Sequence, residues 1–180
     1  MKDLAFLTLR LTTGALLAGH GAQKLFGWFG GHGFEGTAKW LESLKLQPGH
    51  LWALAAGLSE FGGGVLTLLG FLNPLGPLGV IGSMSMATAR VHWGKPIWVT
   101  SGGAELPLTN MAIATALLAA GPGKYSLDGA LGTRLPRWVA LPGLALVATA
   151  IAVGLSGAGA YESQAEQPRT EEHVDGKVAL

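Results

Sequence analysis

The chain has 180 residues, of which 49% are hydrophobic and only 13% are charged, and its formal net charge is +1. Soluble domains usually carry about 25% charged residues, so about half of the expected charge is absent. The near-neutral balance does not indicate a nucleic-acid partner. The sequence contains no cysteine, which excludes disulfides, thiolate metal sites and Fe–S clusters within this chain. The composition predicts an all-α integral membrane protein with about four to five transmembrane helices.

Five apolar segments are long enough, or nearly long enough, to cross a bilayer core that takes about 20 residues per helix. They cover residues 4–21, 51–72, 75–91, 105–121 and 138–158. The first segment also has the length of a cleaved signal peptide, but Arg10 in the middle of its apolar run favours a retained helix. We therefore expect a four-helix membrane bundle over residues 1–131 and a fifth transmembrane helix over 132–160.

The connection between the first two apolar segments, residues 22–50, has a glycine-rich first half and an amphipathic second half. Residues 34–46 place Phe34, Ala38 and Leu41 near one face of a helix, and such a helix typically lies in the membrane interface. Aromatic residues near the ends of the predicted segments indicate an aromatic belt. They are Trp28, Trp40, Trp52, Trp93, Trp98, Tyr125 and Trp138.

The end of the chain, residues 161–180, is polar and acidic and has no apolar stripe, so we expect a disordered tail. Lysine and arginine are divided almost evenly between the two predicted sides, and the positive-inside rule therefore hardly discriminates between the two orientations. We expect the N-terminus to be cytoplasmic and the protein to reside in the inner membrane of a prokaryotic cell.

Seven ionisable side chains lie within or beside the apolar segments, where an unpaired charge costs at least about 2.5–3.5 kcal/mol. On helical wheels, these residues share faces with glycine, alanine, serine and threonine. Such faces point into a bundle, because lipid gives a charge no partner. The sequence predicts one interior polar, ligand-binding site. Its residues are Arg10, His20, Lys24, Glu60, Arg90, His92 and Glu105.

A structural interpretation of the same residues stays open. Interior ion pairs also hold helices in register, and Lys24 and Arg90 can extend to the lipid headgroups. Glu105 can stabilise the positive end of a helix. Arg10 and Glu60 lie nearer the middle of their segments, which favours a functional role, although a salt bridge between them would give the same pattern.

The five histidines raise the question of a metal or haem site. Histidine spacings typical of zinc sites are absent, so we expect no metal site. A haem could bind only non-covalently, with His20 and His92 as axial ligands at one side of the bundle. This alternative is disfavoured but open.

Several motifs in this order and spacing resemble those of the DoxX family of small membrane proteins. They are Arg10, HGAQKLFG at 20–27, EFGGG at 60–64, LGF at 69–71, His92, GAELPL at 103–108 and GPGKYSLD at 121–128. The resemblance covers residues 4–131. It implies a four-helix membrane bundle and a link to quinone-coupled oxidation, and some members of the family associate with redox-protective complexes. The fifth helix and the acidic tail depart from a minimal member.

We expect an integral membrane subunit linked to a quinone-coupled oxidoreductase system, with a protein partner that carries the redox centre. The side bearing His20, Lys24, His92 and Glu105 has groups that can hydrogen-bond a quinone and exchange protons. One alternative is a non-catalytic scaffold or accessory subunit of a larger complex. A small-solute carrier using Arg10 and Glu60 is a third interpretation, although no inverted repeat supports it. The chain has no self-contained catalytic motif, and the sequence assigns no catalytic residue.

Overall fold

A computed structural model describes residues 1–133 and 135–165, with side chains as far as Gly157, and the described part consists of helices and their connections, with no strand. Seven α-helices follow one another within these described residues. They are α1 (Lys2–Phe26), α2 (Gly33–Ser43), α3 (Gly49–Leu69), α4 (Leu75–Ala87), α5 (Glu105–Ala120), α6 (Leu127–Leu131) and α7 (Ala140–Ala165). A π-helical turn, Thr88–His92, extends α4. The expected all-α class is confirmed.

The closest helix-to-helix packing in the described part joins α1 to α3, and glycines make it possible. A Cβ on Gly14 would lie 2.5 Å from the backbone nitrogen of Leu68, and one on Gly64 would lie less than 3.0 Å from the backbone of Ala18. Because Gly14 lies at the level of Leu68 and Gly21 at the level of Phe61, the two helices run antiparallel. Small residues thus allow the two backbones to approach directly.

The next helix, α4, packs on α3 through a second glycine contact and on α5 through apolar side chains. A Cβ on Gly79 would lie 3.1 Å from the Cα of Gly63. Val80 and Met84 of α4 form a buried cluster with Leu17 of α1 and Ala114 of α5. Successive helices alternate in direction, so α1 ends, α3 begins, α4 ends and α5 begins at one end of the molecule.

The amphipathic helix expected within residues 34–46 is present as α2, which packs against α3 and α1. Its apolar side contributes Ala38 and Leu41 to a buried cluster with Leu46 and Ala53. Lys39 on its other side is exposed. This division of apolar and polar faces anchors α2 against the start of α3.

The last helix, α7, lies against α4 on the outside of the other helices. Gly82 faces Val147, and Gly143 and Gly154 face Leu78 and Met86. The rest of its surface is open, since only 6% of the residues in its most apolar window, within Arg137–Gly157, are buried. The helix continues to Ala165, past the expected start of the tail at residue 161, and residues 166–180 of that predicted tail lie outside the described residues.

Two helical stretches in the described part, Gly49–Leu69 and Arg137–Gly157, are long and apolar enough to cross a membrane. The helix Glu105–Ala120 is apolar but shorter. Large apolar side chains on the outer surfaces are widely exposed, as expected where lipid replaces water. They include Leu16, Leu54, Leu58, Leu106, Leu141 and Leu146.

Candidate functional site

The most buried ion pair in the described part joins Lys24 near the end of α1 to Glu60 in α3. Lys24 Nζ contacts Glu60 Oε2, and the two side chains are 22% and 6% exposed. Glu60 lies on the same side of α3 as Gly57, Gly63 and Gly64, which is the side that packs against α1 and α4. The carboxylate therefore lies where helices approach most closely, and Lys24 reaches it from the neighbouring helix.

Several aromatic side chains lie at the end of the molecule where this pair is found. The rings of Phe26 and Phe61 meet edge to face at 5.4 Å between centroids, and Phe26 also contacts Trp28 at 5.0 Å. Trp93 and Trp98, in the connection after α4, are exposed. We call this region, where α1 ends and α5 begins, the Lys24 end.

Arg10 lies towards the opposite end, is only 2% exposed, and is held by backbone carbonyls. Its Nη1 donates a hydrogen bond to the carbonyl of Leu68 at 3.2 Å, and its Nη2 donates to the carbonyl of Tyr125. The guanidinium thus binds a carbonyl in the last turn of α3, where intrahelical partners run out, and ties that turn to the connection after α5. We call this region the Arg10 end.

Arg10 and Glu60 belong to different contacts. Arg10 binds at the level of Leu68, eight residues from Glu60 along α3, which corresponds to about 12 Å of helix. The salt bridge between Arg10 and Glu60 that the sequence left open is absent from the described part. The expectation of one shared interior centre is corrected here, because the backbone carbonyls of Leu68 and Tyr125 supply Arg10 with partners that the sequence pattern does not reveal.

Arg90, His92 and Glu105 lie at the Lys24 end, where each has a partner of its own. Arg90 Nη2 donates to the carbonyl of Gly154 in α7. His92 Nδ1 lies 2.7 Å from the carbonyl of Gly102, and the Glu105 carboxylate accepts a hydrogen bond of 2.8 Å from the Val99 amide. These contacts shape the connection between α4 and α5.

His20 is exposed near the end of α1, and its Nδ1 lies 3.1 Å from Oε1 of Gln23. The Gln23 side chain in turn donates to the carbonyl of Phe29 at 3.4 Å. Of the seven predicted site residues, all within the described part, only Lys24 and Glu60 pair with each other. No group of three or more histidine, aspartate or glutamate side chains in the described part is arranged to hold a metal ion.

Asp128 is a central polar residue that the sequence reasoning did not single out as a site residue. It is 1% exposed, and its carboxylate accepts hydrogen bonds of 2.9 Å from the amides of both Leu72 and Asn73 and one of 3.0 Å from the Thr133 hydroxyl. Its own amide donates to the carbonyl of Gly70. Asp128 thus holds the turn between α3 and α4 against α6. Its place beside Gly-Lys-Tyr-Ser in a conspicuous polar motif was the available signal.

An open cleft of about 410 Å³ lies beside the guanidinium of Arg10, and we call it the Arg10 cleft. Its lining combines apolar side chains from α1, α3 and α6 with the basic residues Arg10 and Lys124. The lining residues are Leu7, Arg10, Leu68, Leu69, Lys124, Tyr125, Ser126, Leu127 and Ala130.

Residues 5–93 match the family model of DoxX, a stretch that contains Arg10, Lys24 and Glu60. The chain matches no curated protein and no solved structure.

Proposed function

Because this chain belongs to the DoxX family of helical membrane proteins, we propose that it is an integral membrane subunit linked to a quinone-coupled oxidoreductase system, in which it acts as the scaffold. In this proposal α1, α3, α4 and α5 form a four-helix transmembrane bundle, and α7 is a fifth transmembrane helix. The membrane is the inner membrane of a prokaryotic cell, with the N-terminus in the cytoplasm.

The scaffold role is supported by one observation: the interior charged side chains bind other groups of the same chain. Lys24 and Glu60 pair across the closest helix contact, and Arg10 is engaged by carbonyls of two separate segments. Side chains bound in this way fix the relative positions of helices. A partner subunit then supplies the electron-carrying centre.

The Lys24 end is the surface that we assign to the partner and to the quinone. His20, Lys24, His92 and Glu105 lie at this end because α1 and α4 end there and α5 begins there. His20 is exposed, and imidazole and carboxylate groups can hydrogen-bond quinone carbonyls and transfer protons. Direct quinone binding by this chain is therefore the second candidate. A carrier role has less support, because Glu60 is buried and paired with Lys24.

Purification of the tagged chain from native membranes tests the proposal. We expect a redox protein to co-purify, and we expect quinone reduction by the complex to fall when Glu60→Gln is introduced. Lys39→Gln, which removes an exposed charge on α2, should leave quinone reduction by the complex unchanged. Two results together would contradict the proposal. The chain would purify without a partner, and its deletion would leave quinone reduction by the cells unchanged.

A further inference from the structure

Arg10 is a buried cation with an incomplete set of partners. Its two terminal nitrogens donate to carbonyls, but its Nε has no hydrogen-bond partner in the described part of the chain. Neutral carbonyls do not cancel the charge of the guanidinium, and no carboxylate among the described residues lies within ion-pair distance of it. The carboxylate of Asp128, which is also buried, accepts hydrogen bonds from the amides of Leu72 and Asn73.

The Arg10 cleft brings an apolar surface next to this cation. Leu7, Leu69, Leu127 and Ala130 line it, and Lys124 adds a second positive charge. A second cleft of about 370 Å³ shares Leu7 and Tyr125 with the first and reaches Met1 and Asp3 at the start of α1. The two clefts therefore adjoin along the first turns of α1.

The depth of the Arg10 cleft suits a lipid. The Lys124 amide donates to the Asp3 carboxylate at 2.9 Å, and the Tyr125 carbonyl accepts from Arg10. Two consecutive residues of the connection after α5 thus contact the side chains of Asp3 and Arg10, whose backbone positions lie seven residues, or about 10 Å, apart along α1. The clefts therefore lie between the charged start of α1 and its apolar run. In the proposed transmembrane arrangement, this is the level at which a lipid headgroup joins its acyl chains.

We propose that the Arg10 cleft is a binding site for an anionic phospholipid, with its phosphate near Arg10 and Lys124 and one acyl chain on the leucine-lined wall. A negatively charged ligand is favoured over a neutral one, because the cleft contains two cations and the Arg10 charge lacks a counterion. Basic pockets between transmembrane helices bind anionic headgroups by the same physics. This site lies at the opposite end from the proposed partner surface, and it rests on the proposed transmembrane arrangement but not on the proposed redox role.

Native mass spectrometry of the purified full chain tests this proposal with dioleoyl phosphatidylglycerol and dioleoyl phosphatidylcholine as probes. We expect preferential retention of the anionic lipid, and we expect Lys124→Gln to weaken that retention severalfold. Arg10→Lys, which keeps a positive charge but replaces the guanidinium and its Nε donor by one ammonium group, should weaken it about tenfold, as for the loss of a charge-assisted hydrogen bond. Lys39→Gln removes a cation at the other end and should have no effect.

A variant that leaves Arg10 and its carbonyl contacts in place covers the case in which Arg10 variants do not fold. Ala130→Phe fills the cleft from α6, and it should remove the preference for phosphatidylglycerol while α-helix content stays unchanged. Equal retention of the two lipids by the wild type, or undiminished preference in Ala130→Phe, would overturn the proposal. Competition by glycerol phosphate as strong as that by the whole lipid would also overturn it, since the site would then bind a free anion. Displacement of the lipid by a short-chain quinone at lower concentration would assign the cleft to a neutral ligand instead.

Discussion

At the scale of single residues, the pairing of Lys24 with Glu60 determines how α1 meets α3. Glu60→Gln leaves the ammonium of Lys24 without its counterion beside a closely packed glycine contact. Loss of one partner of a buried pair costs about 3–5 kcal/mol, and an exposed pair contributes about 1 kcal/mol or less. Because Lys24 is partly exposed, we expect Glu60→Gln to lower the free energy of unfolding by about 2 kcal/mol, measured by chemical denaturation in micelles. A loss no larger than that of Lys39→Gln would contradict this.

Asp128 gives a second prediction at this scale. Its two carboxylate oxygens accept from two consecutive amides, and asparagine retains only one acceptor oxygen. One amide in the turn between α3 and α4 then loses a charge-assisted hydrogen bond, which is worth about 1.5–3 kcal/mol. We expect Asp128→Asn to lower the free energy of unfolding by about 2 kcal/mol.

The matched control for Asp128 is Glu35→Gln in α2. The Glu35 side chain is 72% exposed and pairs with His50 on the surface, so the change should cost about 0.5 kcal/mol or less. Equal thermal unfolding of the two variants would show that the Asp128 contacts do not stabilise the turn.

The sequence could predict which charged residues lie in the interior, but not which groups they contact. The rule that a charge in an apolar segment needs a partner identified Arg10, Lys24 and Glu60 as interior residues, and all three are buried or partly buried. The rule does not specify the partner. The partners of Arg10 are backbone carbonyls, and every residue has a carbonyl, so no side-chain pattern could have identified Leu68 and Tyr125.

At the scale of elements, glycine spacing determines which helices touch. Gly64→Ala would place a methyl group against the backbone of Ala18, which cannot move away without separating α1 from α3. Overpacking of this kind costs about 1–3 kcal/mol. We expect Gly64→Ala to lower the unfolding temperature in micelles by several degrees.

Gly62 on the same helix provides the control, since a Cβ there meets nothing within 4 Å. Gly62→Ala should be neutral or should stabilise by up to about 1 kcal/mol, because alanine is the better helix former. If Gly64→Ala and Gly62→Ala change the unfolding temperature equally, the close approach of the two backbones does not determine the α1–α3 contact.

The apolar runs predicted where most helices lie, but they predicted less well the residues at which the helices end. The segment predicted to end at residue 21 continues as α1 to Phe26, since the polar residues Gln23 and Lys24 find partners on the protein. The one-turn helix α6 has no apolar run of its own. It exists because Ser126 caps it, accepting from the Gly129 amide at 3.0 Å, and because Asp128 joins it to the α3–α4 turn.

At the scale of the whole molecule, α7 packs on the outside of α1, α3, α4 and α5, which contact one another. Its contacts in the described part are mainly with α4, where glycines meet Leu78, Val147 and Met86. We expect a chain ending at Gly132 to retain the packing of α1, α3, α4 and α5. Its helices should insert into membranes, as measured by resistance to carbonate extraction.

The truncated chain should nevertheless be less stable than the whole protein. Arg90 then loses the carbonyl of Gly154, and the side of α4 that packs against α7 is uncovered. The expected result is a lower unfolding temperature that Arg90→Gln reproduces only in part. Complete loss of insertion would mean that α7 belongs to the folding unit of the other helices.

The interior charges form two separate stabilising contacts, one at each end of the α1–α3 pair. Double-mutant cycles of unfolding free energy test this most directly, with Lys24→Gln and Glu60→Gln in one cycle and Arg10→Gln and Glu60→Gln in the other. We predict a coupling energy of about 1 kcal/mol or more between Lys24 and Glu60, and additivity within about 0.3–0.5 kcal/mol for Arg10 and Glu60, as for distant sites. Strong coupling between Arg10 and Glu60, or none between Lys24 and Glu60, would contradict the account.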